Sequence, residues 1–185
     1  MASTWGRIGR KLGSYAVEQG TELLRQLQKT EPVKRATEAI TGPPHPTVPA
    51  GRPVTRNSSP TAHRARRVEY SPSLDGQADP GEVVWTWVAF EDDPAQGKDR
   101  PVLVVGRDGP TLLGLMLSSN SERDEDRNWL ALGKGPWDTG NRPSWIRLDR
   151  ILDVPEAGIR REGAILERAR FDAVATRLRA DYSWT

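Results

Sequence analysis

A small, mainly β domain closed by a C-terminal helix, with a helical arm and a proline-rich linker ahead of it, is the organisation this sequence predicts. Three observations carry it. Between residues 82 and 152 the chain holds short runs dense in β-branched and aromatic residues, separated by Gly, Pro and Asp turn signals. One stretch of apolar residues at helical spacing follows them. Before them, Pro43, Pro44, Pro46, Pro49, Pro53 and Pro60 punctuate a segment with almost no large apolar side chain.

The arm spans residues 1–41. Trp5, Ile8, Leu12, Tyr15, Ala16, Leu23 and Leu27 recur at spacings of three, four or seven and predict a helix over 3–29, capped by Ser3 or Thr4. Gly6, Gly9, Gly13 and Gly20 weaken it, and a second short helical piece is predicted from Val33 to Ile40. Two readings stand for the arm: a partner-dependent, loosely ordered helix, or a basic amphipathic segment that touches a membrane surface or a partner groove. Residues 42–78 are read as extended or disordered linker. Within them Arg64, Arg66 and Arg67 form a basic cluster, read as solvated charge or, alternatively, as a phosphate contact.

The folded domain is expected over 79–185. Glu82 to Phe90, with Val83, Val84, Trp85, Thr86, Trp87 and Val88, reads as the first strand. Pro101 to Val105 and Thr111 to Leu117 read as the next two, buried on both faces, joined by the Arg107-Asp108-Gly109-Pro110 turn. Ser119 to Asn128 is polar and reads as a loop of solvated charge. Trp129 to Leu132 gives a short strand, Ser144 to Leu152 a further one, and a helix closes the chain from about Arg161 to Arg179. Its apolar face is expected from Ile165, Leu166, Ala169, Phe171, Val174 and Leu178. Such an order fits a small barrel or a strongly bent sheet with the helix packed on it.

Composition excludes much chemistry. The 185 residues include no cysteine, so disulfides, thiolate metal sites and a Cys nucleophile are out. Both histidines, His45 and His63, fall in the linker, which disfavours a His acid–base or a His-rich zinc site. Acidic clusters at Glu91–Asp93 and Glu122–Asp126 are read as solvated loop charge rather than a metal site. No apolar run is long enough to span a bilayer, and no secretory leader pattern is visible, so a cytoplasmic location without membrane insertion is expected. The formal net charge of +2 hides an asymmetry: residues 1–78 carry 12 Lys/Arg against 6 Asp/Glu, and residues 79–185 carry 15 against 19. Any enzyme built here works with Arg, Lys, Ser, Thr, Asp and Glu. RNA cleavage suits that inventory, because the 2′-hydroxyl is an internal nucleophile, and a guanidinium with a nearby hydroxyl can stabilise the phosphorane oxygens.

Four segments resemble the PemK/MazF family of toxins. Pro80–Trp85 (PGEVVW) is similar to its opening strand, and Gly97–Val105 (GKDRPVLVV) to its Gly-x-Arg-Pro segment with the apolar strand behind it. Gly114–Asn120 (GLMLSSN) is similar to the strand that ends in Thr or Ser, and Ser144–Val154 (SWIRLDRILDV) to the late strand, after which a helix follows. The sequence departs from the pattern in its short acidic loop EDDPAQGKD, in Trp87 and in Ser at position 118. The resemblance implies an SH3-like barrel, a homodimer, and metal-independent and cofactor-free cleavage of single-stranded RNA, restrained by a small antitoxin protein. It places the catalytic residues on Arg100 and Ser118. RNA-binding residues are expected at Lys98, Ser119 and Trp85, with at most one tryptophan serving as a stacking platform. Two other readings remain: a catalytically degenerate relative that binds protein or nucleic acid, and a chain whose main role lies in the arm.

Overall fold

The computed structural model describes residues 51, 53–55, 57–73 and 75–185, the side chains of 161–163 excepted. The helices expected within 1–41 and the first part of the linker lie outside the described residues. Eight strands and one α-helix are described: β1 Ser58–Pro60, β2 Glu82–Ala89, β3 Gly97–Asp108, β4 Thr111–Ser118, β5 Trp129–Gly133, β6 Ser144–Arg147, β7 Arg150–Pro155, β8 Ile159–Ile165 and α1 Arg168–Tyr182. The sheet is antiparallel in the order β1-β7-β4-β3-β2-β8, with the β5–β6 pair attached to the end of β4.

The hub is β3. Its first half pairs with β2, from Gly97 opposite Ala89 to Leu103 opposite Val83. Its second half pairs with β4, from Val102 opposite Met116 onward. The register to β4 shifts between Val104 and Gly106, while alternation sends Val102 and Val104 to one buried cluster and Leu103 and Val105 to the other. Val102, Leu103, Val104 and Val105 are all solvent-inaccessible, as their unbroken apolar run predicts.

The two faces of the sheet carry separate clusters. Val83, Leu103, Leu113, Leu115, Leu117, Ile146 and Ile151 pack under Phe171, Val174, Ala175 and Leu178 of α1. On the opposite face, Val84, Val88, Val102, Val104, Leu112, Leu152 and Val154 form a smaller cluster of their own. Strand alternation puts Thr86, Arg100, Met116 and Ser118 on that second face.

Several expectations are corrected. The segment read as disordered linker is ordered chain from residue 53 on, wherever it is described, and it spans two edges of the sheet. Thr55 forms a parallel bridge with Val88 of β2, its N–H donating to Trp87 O at 3.0 Å and its O accepting from Ala89 N at 3.1 Å. Three residues later β1 pairs with β7, Ser58 opposite Leu152. Backbone groups on two otherwise unpaired edges are satisfied this way without large side chains, so hydropathy gives no sign of it. The basic cluster is not free charge either: Arg64 ion-pairs with Asp108 and Asp153, Arg66 with Asp108, and Arg67 with Glu69. Tyr70 packs on Phe171 with ring centroids 5.0 Å apart, and its hydroxyl donates to Leu166 O.

At the other end, the helix begins at Arg168 rather than Arg161. Residues 161–165 belong to β8, which continues the sheet beyond β2. The single strand expected over 144–152 is two, broken at Leu148-Asp149, where Asp149 O accepts from Thr61 N and Leu148 N donates to Asn128 O. The loop at 121–125 is a 3-10 turn, not irregular chain.

Candidate active site

β4 runs beside β3 only as far as Met116, opposite Val102. Its other partner is β7 as far as Gly114 and then β6, with Leu117 opposite Ile146 and Ser118 opposite Trp145. Arg100 keeps its partner on the other side, Thr86 of β2. Carrying the Val102–Met116 register two residues further sets Arg100 across from Ser118, in the mouth where β3 and β4 part. Arg100 and Ser118 therefore come together through the β3–β4 register, at the point where the ladder between the two strands ends.

Two hollows of about 370 Å³ each open at this mouth, and Arg100 and Ser118 line both. The first lies on the side of the second apolar cluster, with Thr55, Ser58, Met116, Asn128, Trp129 and Arg147 in its wall. The second takes in Trp85, Lys98, Ser119, Asn120, Arg142 and Ser144. All five residues singled out from sequence, Trp85, Lys98, Arg100, Ser118 and Ser119, thus border the second hollow. Gathering residues from β2, β3 and the end of β4 needs only the β2–β3 and β3–β4 ladders.

Arg100 is half-buried, and among the described residues its side chain makes no ion pair and no hydrogen bond. The carboxylates that could have neutralised it are engaged elsewhere: Asp99 with Arg160 at 3.0 Å, Glu91 with Arg147 at 2.8 Å. Burial pushes the Arg100 guanidinium below its ordinary range, and the nearby charges of Arg123 and Arg147 push the same way. Lys98 is also lowered, first by the Arg100 charge and then by burial. At neutral pH a guanidinium stays charged, so the result is a cation held in a positive local field. Such a group gains most when an anion arrives.

Ser118 Oγ accepts a hydrogen bond from Asn120 N at 3.2 Å, which is the strand-end turn role its position suggests. The hydroxyl proton is still available, because a serine oxygen accepts and donates at once. Asn120 in turn caps the 3-10 turn, accepting from Glu122 N at 3.1 Å. Across the second hollow Trp85 Nε1 donates to Trp137 O at 3.0 Å, which fixes the indole at the rim. Arg142 holds Asp138 at 2.8 Å, and this pair depresses the Asp138 carboxyl below its usual value. Among the described residues no three His, Asp or Glu side chains are grouped as a metal ion would need.

Residues 79–180 match a family model described as "PemK-like, MazF-like toxin of type II toxin-antitoxin system". That is more than half of the chain. The chain belongs to the PemK/MazF toxin family. No curated protein matches it. The match begins after β1 and Thr55, so one wall of the first hollow is made by residues that precede the matched PemK/MazF region. Among the described residues no helix is long and apolar enough to cross a membrane.

Sequence reasoning missed part of the site. Thr55 and Ser58 sat in a stretch read as linker, and Arg123 in one read as solvated loop charge. Arg147 lies in the run read as a strand over 144–152, where nothing local marks it as part of a site. Arg147 does line the first hollow, whereas Arg107 is committed to Glu156 and to Ala78 O. Of the tryptophans, Trp87, Trp129 and Trp145 are buried, as are Trp137 and Trp184, and Trp85 is half-buried.

Proposed function

We propose that this PemK/MazF chain is an endoribonuclease toxin that cleaves single-stranded RNA without a metal ion. Arg100 stabilises the phosphorane and assists proton transfer. Ser118 donates its hydroxyl to a phosphate oxygen. The observation that supports this most directly is the position of an unneutralised, half-buried Arg100 across from Ser118, between two hollows of similar size. An RNA strand crossing the mouth would leave one nucleotide on each side and its scissile phosphate at the pair. Lys98 and Ser119 would bind the backbone and Trp85 would stack on a base in the second hollow.

The path of the sheet, with Thr55 paired to β2 and β1 to β7, fits an SH3-like barrel. Membership of the family further supports a homodimer, a cytoplasmic location and a small antitoxin partner. The deciding experiment incubates purified full-length chain with single-stranded RNA in EDTA. Cleavage that is lost in Arg100→Ala supports the reading; absence of cleavage by the unaltered chain, or no loss in the variant, refutes it.

A further inference from the structure

Four arginines line the first hollow: Arg100, Arg123, Arg147 and Arg150. Two are spoken for. Arg147 holds Asp149 and Glu91, each at 2.8 Å, and Arg150 donates to Ser58 Oγ at 3.1 Å with Glu91 at 3.9 Å. Arg123, like Arg100, has no ion pair among the described residues, although Asp92 and Asp126 border the same hollow. Its Nε is buried and without a hydrogen-bond partner. The guanidinium lies over the Trp129 ring, 4.9 Å from the centroid, a contact that attracts the cation without neutralising it.

The segment carrying Arg123 is held in place. Asn120 caps the 3-10 turn Ser121–Glu125, and Trp145 Nε1 donates to Asp124 Oδ1 at 2.9 Å, tying the turn to β6. Two guanidiniums without counter-ions therefore share one partly buried hollow in a fixed arrangement. Their mutual repulsion is relieved when each fork meets an anion, and the successive phosphodiesters of one nucleic-acid strand supply anions in that way.

We propose that Arg123 is a substrate-binding residue that grips the RNA phosphate next to the one held by Arg100 and Ser118, in the hollow walled by Thr55 and Ser58. This rests on the reading of Arg100 and Ser118 as the scissile-phosphate pair. Arg123 sits in the 3-10 turn rather than on the strands that carry that pair, so it is assigned to binding rather than to the bond-breaking step.

The test uses the full chain, with Arg123→Gln, Arg123→Lys and, as control, Arg67→Gln, an exposed residue paired with Glu69. Binding of a single-stranded RNA with a 2′-deoxy nucleotide at the cleavage position is followed against KCl concentration. Arg123→Gln is expected to weaken binding about tenfold or more and to reduce the salt slope by about 0.7. Arg123→Lys should restore the slope but not the full affinity, and Arg67→Gln should match the unaltered chain. With cleavable RNA, KM should rise while kcat stays within about twofold. An unchanged slope and KM in a folded Arg123→Gln chain overturns the proposal, as does a loss confined to kcat. Loss of poly-glutamate binding with RNA binding intact also overturns it, because the hollow would then take an acidic peptide. If the unaltered chain binds no RNA, the ribonuclease reading falls, and titration with inorganic phosphate still decides the site. A saturable shift of the Arg123 Nε–H signal supports an anion site there, and no shift overturns it.

Discussion

Arg160 holds Asp99 at 3.0 Å, and so the acid next to Arg100 in the chain is turned away from it. Asp99 and Arg100 are neighbours on β3 and project from opposite faces of the sheet. Alternation alone separates a charge pair that the sequence sets side by side. The Arg100 side chain is left to the second face, beside Arg123 and Arg147, and forms no ion pair among the described residues. Replacing Arg100 by Ala should leave the thermal melt nearly unchanged, because no ion pair among the described residues is lost. RNA cleavage should fall by about 100- to 1,000-fold, the usual cost of one charge-stabilising donor. Parallel melting curves and single-turnover cleavage check both halves.

Ser118 should behave as a donor, not merely as a turn former. Ser118→Ala removes both the acceptor for Asn120 N and the hydroxyl proton. Ser118→Thr keeps both. Cleavage is expected to drop about 100-fold in the alanine variant and to stay within a few-fold in the threonine variant. Equal activity in the two variants would reduce Ser118 to its role in the turn.

Much of the fold is legible in the sequence because it follows from short-range pattern. The unbroken apolar run 102–105 marks a doubly covered strand, the β2 run falls where β-branched and aromatic residues cluster, and β4 and β5 are leucine-bearing apolar runs between turn signals. The missed features share a cause: they are decided by backbone pairing and by contacts remote in sequence. Thr55 bridges Val88, Thr61 N reaches Asp149 O, and Trp184 Nε1 donates to Thr61 O. None of these has a local signature. Ile165 and Leu166 fit a helical stripe, yet Ile165 ends β8 and Leu166 N donates to Gly81 O, because β2 offers an open edge. Arg100 and Ser118 could be placed by motif. Arg123 could not, since a charged polar loop looks the same whether its arginine is solvated or stacked on Trp129.

The segment ahead of the matched region should prove integral to the domain. Val68 N donates to Thr185 O and Arg66 O accepts from Thr185 N, so residues 66–68 are bound to the end of the chain. Tyr70 adds its contact with Phe171 and a hydrogen bond to Leu166 O. A fragment beginning at residue 79 loses all of these together with β1. It is expected to melt at least 10 °C lower than the full chain or to fail to fold, and Tyr70→Ala alone should cost about 3 kcal/mol. Urea titration followed by tryptophan fluorescence checks the point variant, and calorimetry the fragment.

Gly114 is another position where packing forbids a side chain. A Cβ there would collide with Val102 Cγ1 and lie 3.2 Å from Val154 Cγ2, inside the second apolar cluster. Gly114 is also the last residue of β4 to pair with β7 before the strand moves to β6. Gly114→Ala should therefore destabilise the fold by about 1–3 kcal/mol through overpacking. It should also disturb the mouth at Ser118, four residues on. Loss of cleavage greater than the loss of folded protein, measured on the same sample, would show that the β3–β4 register itself positions the pair.

Acid sensitivity is set in part by Arg107 and Glu156. The Arg107 fork donates to both Glu156 oxygens, at 3.0 and 3.2 Å, and this holds the carboxyl below its ordinary 4.5. A carboxylate whose folded-state value is depressed adds stability that is present above the unfolded value and is lost as pH falls through the folded one. Glu82 acts in the opposite sense: burial raises it, so it favours the folded state on the acid side and costs stability as pH rises through its range. Arg107→Gln frees Glu156 to return towards 4.5 and leaves Glu82 untouched. The variant should thus be less stable than the unaltered chain at neutral pH, and the gap should narrow as pH is lowered below about 4.5. Urea midpoints measured from pH 7 down to pH 3 test this, and a gap that stays constant across that window would mean the fork contributes nothing that depends on the Glu156 charge.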